Sequence, residues 1–273
     1  GRLTRDEKGR LFVDGFLLSH PDKDHICGLQ THFHLGPPDE WDEDDDKILI
    51  REMWSSPIVF RRASKSHVLC DDAKAWAKEA RRRVALYRES GVATVEGDRI
   101  QIMGEDEGGK TNDILAIVVK AEDVVTMLNR VAVGTFEARL LAPVPHGDDE
   151  ELEELLDKNH SSVVLRFSIR GGGILDKCRF LTGGDAEVAI WERLWGKHGT
   201  CQADWLSYDI LQAPHHCSWH SLSYDSYSAY GEDAEICDDA RSALAQIRKG
   251  AIIVASSKAI DPDETDPPSD RAK

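Results

Sequence analysis

The sequence predicts an α/β protein, and three observations carry that prediction. Short strand-like apolar runs alternate with segments of helical periodicity. Several of those runs stop abruptly in Gly-, Asp- or His-containing segments, as strands of layered α/β folds do where they reach a ligand site. The chain is 273 residues long, between one large domain and two small ones at about 150 residues per domain, and no internal repeat is visible. We read residues 1–260 as one continuous domain and residues 261–273 as a Pro- and Asp-rich tail without periodicity.

Along the chain, residues 11–18 form a strand-like run that ends at Ser19-His20-Pro21-Asp22-Lys23-Asp24-His25. An acidic stretch over residues 39–46 reads as a solvated loop, and residues 48–50 and 58–60 read as brief strands. From Asp71, the residues Ala73, Trp76, Ala77, Ala80, Val84 and Tyr87 recur at helical spacing, with Asp71 or Asp72 as the cap and Gly91 at the end. Arg81, Arg82 and Arg83 fall on its polar side, a solvated face first and a phosphate contact second. Residues 100–103, 115–119 and 138–142 suggest strands, and residues 122–130 and 148–156 look helical. Residues 163–169 and 174–181 flank the turn Arg170-Gly171-Gly172-Gly173, a hairpin signal. The hairpin ends in Thr182-Gly183-Gly184-Asp185, and a helix follows with Val188, Ile190, Trp191, Leu194 and Trp195 on its apolar face. Residues 208–213 form a strand that stops at Pro214-His215-His216. A helix over 238–248 and a strand over 251–255 complete the pattern.

Composition narrows the functions. Hydrophobic residues make up 41% and charged residues 31%, as in an ordinary globular chain. No apolar run approaches the ~18 residues of a transmembrane helix, and the N-terminus lacks a signal-peptide stretch. A net charge of −16 repels a polyanion at long range, so passive coating of nucleic acid is excluded unless cations or local basic patches reverse the field. Six scattered cysteines with no CxxC pair read as reduced thiols of a cytoplasmic protein.

The chemistry is concentrated at strand ends. His20, Asp22, Asp24 and His25 occupy one six-residue window after the first strand; on an extended segment the first three share a face, and a turn brings His25 in from the side. Imidazoles and carboxylates converging in this way suit a divalent cation, the alternative being a polar turn whose Asp residues cap the next helix. Asp185, read as a ligand or a helix cap, and the pair His215 and His216, read as ligands or loop histidines, end two further strands. His32 and His34 read as surface histidines, and Trp54 and Trp219 as packing groups or base-stacking platforms.

Together the segments LLSHPDKDHICGL, NHSSVVLRF, RFLTGGDAEVAIWERL and DILQAPHHCSWHS, over roughly residues 11–256, resemble the metallo-β-lactamase superfamily, specifically the branch related to the nuclease-like domain of the ComEC DNA-uptake protein. The first motif of that branch, H-x-H-x-D-H with Asp for the second His, matches His20, Asp22, Asp24 and His25. Its T-G-D motif matches Thr182-Gly183-Gly184-Asp185 with one additional Gly, and its H-H-G-S motif matches His215-His216-Cys217-Ser218 with Cys217 in the Gly position. The resemblance implies an αββα four-layer sandwich and a dinuclear site. His20 and Asp22 would serve one metal, Asp24, His25 and His215 the other, and Asp185 would bridge; His216 is the fallback ligand and a substrate contact. His160 stands either as a further ligand or as a loop histidine. Only nineteen residues precede His20, where the family has further strands, so the sequence is expected to be part of a longer chain lacking N-terminal strands.

Paired cations about 3.5–4 Å apart bind one hydroxide between them and stabilise a developing oxyanion, so hydrolysis follows, with Asp24 and Asp185 as the catalytic carboxylates. Carboxylate-rich coordination favours Zn or Mn, with Mg third. A phosphodiester suits such a centre better than a β-lactam, and Ser218, Ser257 and Lys258 are candidate phosphate donors, against readings as a helix cap and a surface charge for Ser218 and Lys258. The expected function is a metal-dependent phosphodiesterase or nuclease acting on DNA. The alternatives are a small-molecule metallohydrolase for a lactone, thioester or cyclic nucleotide, and a non-catalytic effector subunit with protein partners in a larger assembly.

Overall fold

A computed structural model of the protein describes residues 3–57, 69–92, 95–105, 109–143, 162–261 and 267–272. It is a mixed α/β protein, and its contacts divide the chain into two compact units: Gly1–Lys120 with Val125–Val133, and Ala121–Val124 with Gly134–Lys273. In chain order the elements are β1 (Phe12–Leu18), α1 (Lys23–Ile26), α2 (Leu29–His32), β2 (Phe33–His34), β3 (Ile48–Ser55), α3 (Asp71–Ser90), β4 (Arg99–Met103) and β5 (Val118–Val119). These are followed by β6 (Val124–Val125), β7 (Met127–Leu128), β8 (Val131–Ala132), β9 (Phe136–Ala142), β10 (Val164–Gly171) and β11 (Ile174–Leu181). The chain then forms α4 (Val188–His198), β12 (Tyr208–Gln212), α5 (Tyr227–Tyr230), α6 (Asp238–Leu244) and β13 (Ile247–Val254).

The first unit is built on a parallel sheet of order β1-β3-β4-β5, with β2 also paired to β3. Parallel strands are covered by helices, and α3 supplies the cover: Ala73, Trp76, Ala80 and Val84 are buried against Leu18, Ile50, Met53, Ile100 and Ile102. Each large side chain so buried contributes about 1.5–3 kcal/mol. Gly91 caps the helix as the sequence predicts, but the N-cap is Cys70 and neither Asp71 nor Asp72. Asp72 instead accepts from the backbone N–H groups of Gly28 and Gln30 at 2.8 and 3.0 Å, satisfying the start of α2. Those donors, the Gln30 N–H foremost, hold its carboxyl below the usual range.

The arginines of α3 depart from the solvated face expected of them. Arg81 is exposed, but Arg83 is fully buried: it donates to Glu79 Oε1 at 2.7 Å and to the carbonyls of Arg99 and Ile50 at 2.9 and 3.1 Å. Arg82 bonds Glu79 and Asp98. Both side chains thus serve as polar ties within the unit.

The second unit is built on a mixed sheet of order β13-β12-β11-β10-β9-β6, with β9, β10 and β11 antiparallel and β11, β12 and β13 parallel. The β10–β11 hairpin lies where the sequence places it. Val188, Ile190, Trp191 and Leu194 of α4 and Ala240 and Ala243 of α6 pack on Val164, Leu181, Tyr208 and Leu211. Burial pushes the Tyr208 phenol up to about 12, and its hydroxyl donates to the Leu244 carbonyl at 2.7 Å.

Other expectations are corrected. The segment 122–130 is not helical: it holds β6 and β7, and Asn129 and Arg130, at φ +53° and +63°, form the two-residue turn that pairs Leu128 with Val131. Two consecutive left-handed residues are what a tight hairpin requires. The strand expected at 115–119 is shortened to β5, because the chain makes 3-10 turns over Asn112–Ile117. The last helix stops at Leu244, short of the expected 248, and the chain enters β13 at Ile247, ahead of the strand expected at 251–255. His34 is buried, its Nε2 2.9 Å from the Pro37 carbonyl, whereas His32 is exposed. The expected strand at 58–60, the expected helix at 148–156 and His160 lie outside the described residues. All six cysteines are free thiols, and no helix among the described residues is long and apolar enough to cross a membrane.

Candidate metal centre

In the first unit the ligand-type residues follow the carboxyl end of β1, level with the ends of β3 and β4, since Leu18 pairs with Ser55 and Ser55 with Ile102. Beyond Leu18 the chain does not stay extended through Asp24 as expected: it turns into α1, and one helical turn carries His25 back over His20, their ring centroids 4.1 Å apart. His20 Nε2 lies 3.9 Å from Asp22 Oδ2 and His25 Nε2 lies 3.8 Å from Asp24 Oδ2. Asp22 occupies the N-cap position of α1, yet its side chain makes no cap hydrogen bond; the helix start is met by its carbonyl, which accepts from the N–H groups of His25 and Ile26. The capping alternative therefore does not account for the Asp22 carboxylate. His20 is buried, with Nδ1 3.1 Å from Ser19 Oγ, while Asp24 is exposed.

In the second unit three parallel strands end level with one another: Leu181 pairs with Leu211, and Leu211 with Ile253. The loops that follow carry Asp185, the His215-His216 pair and Ser256. The additional glycine of the Thr182-Gly183-Gly184-Asp185 segment has a structural reason. A Cβ on Gly183 would lie 2.6 Å from the Gln212 carbonyl oxygen and 2.7 Å from Pro214 Cα, so only glycine lets the two loops approach. Gly184 is left-handed at φ +51°, and its carbonyl accepts from the His215 N–H at 2.8 Å. Asp185 is buried and is not the cap of α4, a position held by Glu187; its own N–H donates to Ser162 Oγ at 3.2 Å.

Of the two histidines, His216 faces Asp185. Its Nε2 lies 3.7 Å from Asp185 Oδ1, and its Nδ1 lies 2.7 Å from the Ser256 carbonyl oxygen. A carbonyl only accepts, so Nδ1 carries a proton and Nε2 is the ring atom turned toward the Asp185 carboxylate. A ring nitrogen and a carboxylate oxygen brought this close are groups that could hold a cation, and a backbone carbonyl on the other ring nitrogen is the usual orienting partner of a metal-binding histidine. His215 is placed differently: its Nδ1 is 3.6 Å from Glu187 Oε1 and buried without a hydrogen-bond partner among the described residues. Among the described residues, the His and Asp groups that could hold a metal ion are His20, Asp22, Asp24 and His25 in the first unit and Asp185 and His216 in the second.

The remaining candidates separate. Ser218 is buried, and its Oγ accepts from the His220 N–H at 3.1 Å, the cap reading; Lys258 is exposed, and Ser257 Oγ donates to the Lys258 carbonyl at 3.0 Å. Trp54 and Trp219 are buried packing groups whose indole N–H groups donate to Glu52 and to the Asp225 carbonyl. Sequence reasoning missed the orienting partners Ser19, Ser162 and Ser256, because a backbone carbonyl or a lone hydroxyl has no distinctive signature. Compared with family models, curated proteins and solved structures, the chain matches none of them.

Proposed function

We propose that the chain is a metal-dependent hydrolase of phosphodiesters and that its fold is the αββα sandwich implied by its resemblance to the metallo-β-lactamase superfamily. The observation that carries this reading is the Asp185–His216 pair, a buried carboxylate facing an imidazole whose tautomer the Ser256 carbonyl fixes. The ligands in this reading are His20, Asp22, Asp24, His25 and Asp185, with His216 favoured over His215 by its orientation. Divalent cations held by such groups supply acidified water and Lewis-acid stabilisation of developing negative charge. The residues of the chain then have distinct tasks: Asp185 and His216 would hold the cation, and the Ser256 carbonyl holds the His216 ring. Gly183 allows the backbone approach that brings the two loops together. Lys258, exposed just beyond Ser256, is the remaining candidate for contact with a substrate phosphate.

A second reading, a small phosphoester rather than DNA, is favoured by the arginines. Arg82, Arg83, Arg88, Arg166, Arg179, Arg248 and Arg271 are each paired with carboxylates, so they do not form a basic strip for a polyanion. The test is cleavage of single- and double-stranded DNA and of a small phosphodiester, with Mn or Zn, by wild type and Asp185→Asn. Metal-dependent cleavage reduced at least about a hundredfold by Asp185→Asn supports the reading, and the substrate cleaved chooses between its two forms. Absence of cleavage of every substrate overturns it.

A further inference from the structure

His215, His216 and Cys217 are three consecutive non-glycine residues in the left-handed region, at φ +46°, +56° and +68°. Such residues are held there only when surrounding structure compensates the steric cost. Cys217 is the extreme case, standing where the motif it resembles has glycine. The compensation comes from the far end of the chain, read in the sequence as an aperiodic tail. The Ser269 N–H donates to the Cys217 carbonyl at 2.9 Å, and the Cys217 thiol donates to the Ala272 carbonyl at 3.6 Å. Arg271 lies with its guanidinium carbon 4.8 Å from the Tyr227 ring centroid and 5.5 Å from that of Trp219, and bonds Glu232 at 2.7 Å. Pro268 and Ser269 are buried beneath these contacts.

We propose that residues 267–272 are a strap that holds the His215-His216-Cys217 turn left-handed, with Ser269 and Arg271 acting as positioning residues for His216. The strap substitutes for the glycine that the turn lacks. The bearing on metal affinity rests on the proposed function; the hold on the turn does not. Glycine adopts positive φ without steric cost, so a glycine at position 217 needs no external hold.

The experiment is amide hydrogen exchange over residues 213–222 in metal-free full chain, in a chain ended after Asp261, and in Arg271→Ala, each with Cys217 and with Cys217→Gly. Zinc titrations accompany each protein. With Cys217 in place, ending the chain or Arg271→Ala speeds exchange of the turn, by about tenfold for the shortened chain, the scale of one left-handed non-glycine residue. With Cys217→Gly the same changes have less than about a third of that effect on the fold scale, while exchange in β9 and β10 stays constant throughout. Equal acceleration in both backgrounds, or none in either, overturns the strap. If the turn responds as expected but no protein binds zinc, the strap stands and the proposed function fails. If wild type binds zinc and the shortened chain binds it equally well, the strap does not position His216.

Discussion

In the first unit, His20, Asp22, Asp24 and His25 come from six contiguous residues that leave one strand and enter one helical turn. In the second, Asp185 and His216 are carried by the ends of different strands, and their approach requires a glycine under backbone contact and three left-handed residues. The first set is thus produced by local structure on an ordinary parallel-sheet edge, and its support is remote: Asp72 satisfies the start of α2, and Arg83 ties α3 to the sheet. The second set is produced by close packing at the site itself. Ligands contiguous in sequence need a stable scaffold, whereas ligands distant in sequence need conformational strain to be compensated where they meet.

The largest effect expected outside the ligands tests the remote scaffold. Arg83→Ala leaves Glu79 buried beside fewer donors and removes a donor from two backbone carbonyls, and should cost about 3 kcal/mol in urea unfolding. A cost within about 0.5 kcal/mol, the range of ordinary surface substitutions, would mean that the buried arginine is not a support of the first unit. Next comes the packing of the second unit. Gly183→Ala drives a methyl into backbone and should cost about 2 kcal/mol while weakening metal binding. Gly15→Ala, in the first unit, has as its nearest neighbours atoms of the movable Leu128 side chain and should cost less than about 1 kcal/mol. Similar costs for the two, measured by thermal unfolding, would erase the contrast between the units.

The smallest effect concerns pH. The Asp72 carboxyl is held below its ordinary value of 3.8, chiefly by the Gln30 N–H, so the folded state favours its ionised form. Its contribution to stability is complete above that ordinary value and is lost as pH falls through the lower folded value. Asp72→Asn should remove this acid-side slope without altering the second unit. An unchanged slope between pH about 4 and 2 in urea unfolding contradicts the role of Asp72 at the start of α2.

Much of this architecture was legible in the sequence. Periodicity places α3 and α4, and the Gly-rich turn places the β10–β11 hairpin to the residue at its second strand, because burial on one face imposes the spacing. The segment 122–130 was not legible, since its valines and leucine fit a helix as readily as two short strands until Asn129 and Arg130 are seen to turn left-handed. Arg83 was misread because charge alone says solvent, and the carbonyls that make its burial tolerable belong to β3 and β4. At the candidate centre the residue types His, Asp and His-His were legible, but the orientation of His216 over His215 depends on Ser256, forty residues away. The tail was not legible at all, because it has no periodicity and its partners, the Cys217 carbonyl, the Glu232 carboxylate and the Tyr227 and Trp219 rings, lie some forty to fifty residues away in sequence.

The central claim, that both ligand sets serve metal binding, is tested most directly by elemental analysis of purified wild type, Asp22→Asn and Asp185→Asn after equilibration with zinc or manganese and removal of loose ions. The account predicts bound metal in wild type and a loss in each variant, with folding retained by circular dichroism. Wild-type metal content in either variant, or a wild type that retains no metal, contradicts it.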